Sequence, residues 1–352
     1  MIQLFVHEML LDAAQGSLGS VSRMASDILR REPASLIGER CLHAMARMMS
    51  AWVGYQRSYR PQAANEMRLA LAEYGRGEAW FDQYAIALPL IVDVRFRRDG
   101  LAEALRELEA AAHDHDRRGL VCLAGLRLGI ELSCRARAGD IADIAPLEAR
   151  CLDRLESPPG GSAAWRERDM LLRALCALAL ARRRPEQAAR FADRLVVEGR
   201  EGGRLCTQVQ GLVLMARVAE LAEDQVRADA VLLEAILLSS AEGMVAAFAE
   251  EGRALAPLLQ RLASAETSSL AQRRAVAIIK AIKAEQQFAA ADALSDREAE
   301  IVAHLADGAS NKLIARRLGL TENTVKFHLK SIFAKLGVKT RKQAAMRVLL
   351  EG

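Results

Sequence analysis

At 352 residues the chain is longer than one ordinary hydrophobic core accommodates, so two domains or an extended repeat array is expected. Aromatic residues make up only 4% of it while Ala, Leu and Arg recur throughout, which argues against sheet and for an all-α protein, because these side chains lose little rotamer freedom in a helix. The net charge of +4 sits wholly in the last segment: residues 292 to 352 hold 11 Lys and Arg against 7 Asp and Glu, and the remainder holds 38 of each sign.

All eight lysines lie from Lys280 onward, a second compositional break near the same place. A small, locally basic domain implies a polyanion partner. The six cysteines (Cys41, Cys122, Cys134, Cys151, Cys176, Cys206) show no Cys-x-x-Cys spacing and read as buried free thiols of a reducing cytosol. Neither terminus reads as a targeting signal, and the most apolar stretch, Leu171 to Ala181, is short and interrupted by Arg173. A cytoplasmic chain without membrane contact is the expectation.

Along the first four-fifths a similar amphipathic segment starts near residues 20, 60, 100, 140, 184 and 224. A small or apolar residue falls in phase in each: Met24, Ala64, Ala104, Ile144, Ala188 and Ala228. Turn formers such as Pro61, Gly100, Gly139 and Pro185 sit at the starts, and two runs of helical periodicity fit inside each unit. Each unit is therefore read as a helical hairpin. One hairpin cannot bury its apolar face alone, so successive hairpins stack into a curved solenoid whose concave side holds a peptide, a protein or a small ligand.

One cluster, His113-Asp114-His115-Asp116, draws attention as a metal or catalytic candidate, but four adjacent polar residues without supporting ligands read as a solvated helix end. No catalytic constellation, metal site or cofactor motif emerges, and the chain is not read as an enzyme. Residues 284–293 lack core periodicity and mark a hinge between a helical-repeat domain over 1–283 and a terminal domain over 294–352.

In that domain Ser295 can cap a first helix, with Glu298 reaching back to the cap amide, and the helix runs to about Asp307 with Ile301, Val302 and Leu305 on one face. Gly308 closes it. A second helix starts at Ser310, turns Leu313, Ile314 and Leu318 inward, and ends at Gly319. Only Leu320 separates that glycine from Thr321, the N-cap of a third helix reaching about Leu336. Two helices joined so tightly form a helix-turn-helix, over about 310–336. In the third helix Val325, Leu329, Ile332 and Leu336 keep to one face, which leaves Asn323, Lys326, Phe327 and Lys330 on the other.

A helix presented this way fits the major groove of B-DNA: Lys326 and Lys330 can donate to guanine O6 and N7, and Phe327 offers apolar contact to a thymine methyl. Asn311, Thr321 and Thr324, at helix starts, are placed for phosphate oxygens. Lys312, His328, Lys335 and Arg341 are further phosphate candidates, with solvated or structural side chains as the alternative.

Leu294-Ser-Asp-Arg-Glu298, Gly308, Ser310-Asn-Lys312, Ile314-Ala315, Leu318, Thr321, Thr324-Val-Lys326, His328-Leu329, Ile332, Lys335-Leu-Gly-Val338 and Arg341 together resemble the LuxR-type (NarL/FixJ-type) helix-turn-helix, over Leu294 to about Leu350. The resemblance implies that Lys326, Phe327 and Lys330 face bases, and that a final helix from Thr340 to Leu350 supplies a dimer contact. Leu313 departs from the family, which more usually has an acidic residue after the lysine. The repeat region resembles a tetratricopeptide-like array, specifically the superhelical region of the large LuxR-type regulators related to the maltose-regulon activator. The likeness is strongest from Gly243 to Leu259. The phosphate loop of those regulators, Gly-x-x-x-x-Gly-Lys-Ser/Thr, does not occur in this sequence, nor does the βα alternation of a receiver domain.

These expectations describe a DNA-binding transcription regulator, by resemblance an activator. It would bind a pseudo-palindromic operator as a homodimer, contact RNA polymerase, and sense a ligand or partner protein through its solenoid. The alternative is a helical-repeat adaptor whose terminal domain serves protein contact or dimerisation. The exposed lysines of the third helix favour DNA.

Overall fold

The computed structural model describes residues 2–31, 37–58, 62–74, 81–117, 120, 123–156, 164–264, 269–292, 296–306, 308–335, 340, 341 and 344. Among them are seventeen α-helices and no strand, and no helix is long and apolar enough to cross a membrane. The chain divides into two compact units, Met1–Glu285 and Gln286–Gly352.

The first unit is built of α1 (Ile2–Gln15), α2 (Leu18–Leu29), α3 (Ile37–Ser58), α4 (Gln62–Tyr74), α5 (Phe81–Asp99), α6 (Leu101–Arg117), α7 (Ala124–Ala138), α8 (Ala145–Glu156), α9 (Ala164–Ala181), α10 (Pro185–Glu201), α11 (Leu205–Leu221), α12 (Gln225–Ser240), α13 (Ala246–Ser264) and α14 (Ser269–Asp292). The last of these runs past the boundary at Glu285, and the stretch expected as a hinge is helical as far as Asp292. The six repeat starts fall at the beginnings of α2, α4, α6, α8, α10 and α12, the fourth of them five residues early. Of the in-phase residues, Ala64, Ala104, Ile144, Ala188 and Ala228 are buried and Met24 packs against the core.

The two helices of each pair differ for a reason visible in their sequences. In α10 only Ala188, Ala192, Leu195 and Gly199 are buried, one stripe of an amphipathic helix. In α9 eleven of eighteen residues are buried and in α11 nine of seventeen, as befits helices that are apolar around most of their circumference. The odd-numbered helices therefore form an inner layer, each packing on the next, and the even-numbered helices cover them.

The curvature of this array carries through to closure. Helix α13 packs against α3, and α1 lies against both α3 and α11. Accordingly one core joins α1 to α5 with α11 to α14, while a second spans α5 to α11. The seam is held by polar contacts between residues 152 to 223 positions apart. Glu242 accepts from the Gly19 amide (2.8 Å) and from Arg57, whose Nε also reaches the Glu242 carbonyl (2.9 Å). The Val245 amide donates to the Gln56 carbonyl (2.7 Å), and Arg97 Nη1 donates to the Ala249 carbonyl (2.8 Å). Gly16, at φ 80°, sits so close to α11 that a Cβ there would lie 2.8 Å from Leu205 Cβ. Only glycine satisfies both conditions.

The His113 cluster is not uniformly solvated. His115 is 1% exposed and meets the Tyr84 ring edge to face at 4.6 Å, because its position on α6 turns it towards α5, whereas Asp114 stays outside and pairs with Arg117 (3.1 Å). Cys134, Cys151 and Cys176 are buried, and Cys41 and Cys206 partly so. Burial pushes the thiols of Cys134, Cys151, Cys176 and Cys206 up to about 12, which keeps them protonated and unreactive. Cys122 lies outside the described residues.

The second unit comprises α15 (Asp296–Ala306), α16 (Asn311–Leu318) and α17 (Glu322–Lys335) around a core of Ile301, Val302, Leu305, Ile314, Ala315, Val325, Leu329 and Ile332. Leu318 packs at its edge. Leu313, expected inward, is 39% exposed. One residue turns a helix by about 100°, so with Ile314, Ala315 and Leu318 on the buried stripe Leu313 falls on the far side. Leu336 and most of the final helix expected over Thr340 to Leu350 lie outside the described residues. Within it the Ala344 amide donates to the Thr340 carbonyl (3.0 Å), one helical turn.

Candidate nucleic-acid interface

Three caps fix the geometry of α16 and α17. Ser310 stands in the extended conformation (φ −65°, ψ 158°) before α16, and its hydroxyl accepts from the Leu313 amide (3.3 Å). Gly319 closes the helix at φ 64°, a left-handed conformation that costs other residues free energy. The next helix begins at once: Thr321 Oγ1 accepts from the Thr324 amide (3.1 Å), and the two threonine hydroxyls are 2.8 Å apart. The turn is thus as short as its sequence demands.

Three further side chains lock the helices together. Arg297 on α15 donates to the Leu318 carbonyl, one of the orphan acceptors at the end of α16, and pairs with Glu300 (2.6 Å). Glu298, read as a capping partner of Ser295, is 4% exposed and accepts from the Ser331 hydroxyl of α17 (2.7 Å), which ties α15 to α17. Ser295 itself lies outside the described residues. Arg341, a phosphate candidate, donates to Asn311 Oδ1 (2.8 Å) and to the Ala309 carbonyl, so it holds the start of α16 from behind. The signal for these contacts was present only as charged residues flanking a helix, and such residues are usually solvated.

With Val325, Leu329 and Ile332 buried, the opposite face of α17 presents Asn323, Lys326, Phe327 and Lys330, all exposed. Their spacing of three, four and seven residues makes them one continuous patch. Phe327 is 73% exposed, the most exposed aromatic side chain among the described residues. An aromatic ring left in water at the centre of a basic patch is unexplained by packing. His328 flanks it, half-buried, with its ring edge towards Phe327 at 6.3 Å. Lys312, Arg316 and Arg317 are exposed on α16, and Arg317 meets His304 Nδ1 at 3.4 Å. The side chain of Lys335 lies outside the described residues.

Short capped helices, an abrupt turn and a basic outward face define a helix-turn-helix module. Residues 292–348 match the family described as "Bacterial regulatory proteins, luxR family", and this unit is a LuxR-type helix-turn-helix domain. Over 55 residues the chain is 47% identical to the nitrate/nitrite response regulator protein NarL of Escherichia coli, which covers 16% of this chain and 26% of that protein. It is 49% identical over 53 residues to the probable transcriptional regulatory protein SgaR of Hyphomicrobium methylovorum, 15% and 25% of the two chains. A longer similarity, 26% identity over 182 residues, links it to the HTH-type transcriptional regulator MalT of Vibrio parahaemolyticus, covering 45% of this chain and 20% of that one. That stretch exceeds the second unit, so the likeness reaches into the helical unit. The chain spans only a fifth to a quarter of the length of these relatives.

Proposed function

We propose that the protein is a transcription regulator that binds duplex DNA through α17 and takes its signal, a ligand or a partner protein, through the helical unit. The observation that carries the reading is the α17 face: two lysines flanking a 73% exposed phenylalanine, opposite the buried Val325, Leu329 and Ile332. In the major groove Lys326 and Lys330 donate to guanine O6 and N7, and Phe327 covers a thymine methyl. Water is a poor partner for that ring and a methyl group is a good one.

Phosphates are held at the helix starts. Thr321 Oγ1 accepts the Thr324 amide, so once Thr324 donates its hydroxyl proton to the same oxygen, the Thr321 proton is left to point at an anion. Asn311 has its carbonyl oxygen engaged by Arg341, which leaves its amide group to donate outward. Lys312, His328 and Lys335 complete the backbone contacts, with Arg341 acting through Asn311. Two copies on a pseudo-palindromic operator follow from the docking geometry of such modules. Activation and contact with RNA polymerase belong to the same proposal and rest on the family resemblance of the sequence alone.

The test is selection of bound sequences from a pool of random duplexes by the full chain at two salt concentrations, beside the double variant Lys326→Ala, Lys330→Ala. The expected result is a recovered pseudo-palindrome, with affinity that falls steeply with salt. In the variant, affinity should drop at least about thirtyfold, from about 1–3 kcal/mol per lysine contact, and the sequence preference should disappear. An unchanged preference in the variant would refute readout by α17. If neither the full chain nor residues 285–352 alone bound duplex, an adaptor function would take its place.

A further inference from the structure

The inward faces of the odd-numbered helices from α1 to α13 line a half-open cavity of about 160 Å³. Its walls are unusual for the inside of a helical array, because they carry ionised groups from four of those helices. Asp93 on α5 takes hydrogen bonds from Arg137 Nη1 (2.6 Å), Arg97 Nε (2.9 Å) and the Tyr55 hydroxyl (2.9 Å). Glu250 on α13 accepts from Arg173 Nη2 (2.5 Å) and Gln210 Nε2 (2.7 Å), with the Tyr55 hydroxyl at 3.3 Å. The neighbouring Glu251 pairs with Arg217. Among the residues that line the cavity, Arg137, Arg166 and Arg173 stand against Asp93, Asp169 and Glu250. Arg173 commits only Nη2 among the described residues, and its remaining nitrogens are available to another acceptor.

One helical turn earlier on α9 stands Asp169, nine-tenths buried. Its Oδ2 accepts from the Thr207 hydroxyl (2.5 Å), but Oδ1 has no hydrogen-bond partner among the described residues, with Arg204 at 3.6 Å. A buried carboxylate with an unfilled oxygen is costly. Burial accordingly pushes its carboxyl up to about 6, against the pull of Thr207 and Arg204. Asp169 and Arg173 are four residues apart, a rise of about 6 Å along one face of the helix. The cavity thus offers, side by side, a guanidinium with uncommitted nitrogens and a carboxylate oxygen that lacks a donor among the described residues.

We propose that this cavity binds a small carboxylic acid bearing an amino or hydroxyl group, its carboxylate on Arg173 and Arg137 and its N–H or O–H donated to Asp169. The inference deepens the reading of the helical unit as the signal-receiving part, but concerns binding and is tested as binding. A simple carboxylate meets only the first requirement and a simple amine only the second. The ligand is held when both are met, since either contact alone leaves a desolvated charge unpaired.

The experiment uses the full chain, with titration calorimetry and the thermal midpoint as readouts. The probes are the twenty proteinogenic amino acids, glycolate, lactate and malate, with acetate and ethylamine as single-group controls. The expected result is that at least one two-group probe binds saturably and raises the midpoint with concentration, while acetate and ethylamine at equal concentration do not. Asp169→Asn and Arg173→Gln should each weaken that probe at least tenfold. Ser133→Leu, which fills the cavity from α7 without touching its charges, should abolish binding in a protein that keeps its helical circular dichroism. A panel in which no two-group probe exceeds the controls overturns the proposal, as does a bound probe that Ser133→Leu and both charge variants leave unaffected. A probe that binds as expected yet leaves operator affinity unchanged would sink the signalling role and keep the site.

Discussion

Replacing Asp93 with Asn removes one negative charge from between two guanidiniums while leaving the shape of the side chain nearly intact. Asp93 is 11% exposed at its side chain, and Arg97 and Arg137 beside it are 14% and 23% exposed. Burial alone would raise its carboxyl; the two arginines outweigh it and hold the group well below the usual carboxylate range. Stranding both guanidiniums should cost about 3–5 kcal/mol, the scale for breaking a buried pair. At about 2–4 °C per kcal/mol for a unit of this size, the melting midpoint should fall by roughly 10 °C. Because the folded-state pKa is depressed, the stabilisation is present above the unfolded value near 4 and is lost as pH falls below it. Melts followed by circular dichroism at pH 7 and about pH 2 should therefore show a wide gap between variant and wild type at pH 7 that narrows at the lower pH. The exposed pair Arg47–Glu73 is the control, and Arg47→Ala should cost no more than about 1 kcal/mol. A variant at Asp93 that melts within about 2 °C of wild type would refute a closed ring held from inside by paired charges.

Other expectations are more local. Phe327→Ala should leave the stability of the second unit within about 0.5 kcal/mol, since the ring is exposed, while lowering operator affinity about tenfold, as read by fluorescence anisotropy. Ser310→Ala should cost about 1 kcal/mol through the lost cap on Leu313, visible as a lower midpoint of residues 285–352. Asp169 has a folded-state pKa raised to about 6, so its contribution runs opposite to that of Asp93. Stability should decline as pH rises from about 4 to 6, by up to about 3 kcal/mol from this group, and Asp169→Asn should flatten that slope in denaturant titrations. A slope identical in the variant would remove Asp169 as its source.

Much of this architecture is legible in the sequence because it is local. Turn residues and apolar phase locate the helical pairs from α2 to α12, and the caps Ser310, Gly319 and Thr321 mark α16 and α17 to the residue, since capping depends on neighbours three positions away. The exposed patch on α17 follows from helical periodicity alone. Closure does not, because the meeting of α1 with α11 and of α3 with α13 is decided by the accumulated curvature of six pairs and by contacts far apart in the chain. For the same reason Asp93, Arg137, Asp169 and Glu250 look like ordinary surface charges when read in sequence. Only the folded ring shows that their helices turn inward. Leu313 and His115 illustrate the smaller failure, in which residue type suggested one side of a helix and the angle of the turn chose the other.

Joining the first helices to the last changes how the helical unit comes apart. An open array frays from either end, and its stability grows repeat by repeat. Here the N-terminal helices share a core with α11 to α14, so neither end is terminal in the mechanical sense. Hydrogen exchange should report a single cooperative transition across α1 to α14 in place of a gradient, and removal of one forty-residue repeat, which an open array survives, should leave a gap that the remaining helices cannot span. Folding inherits the same constraint: the seam waits for residues 152 to 223 positions apart to find each other, which makes closure the slow step and exposes the unjoined faces of α1 and α13 until it is taken.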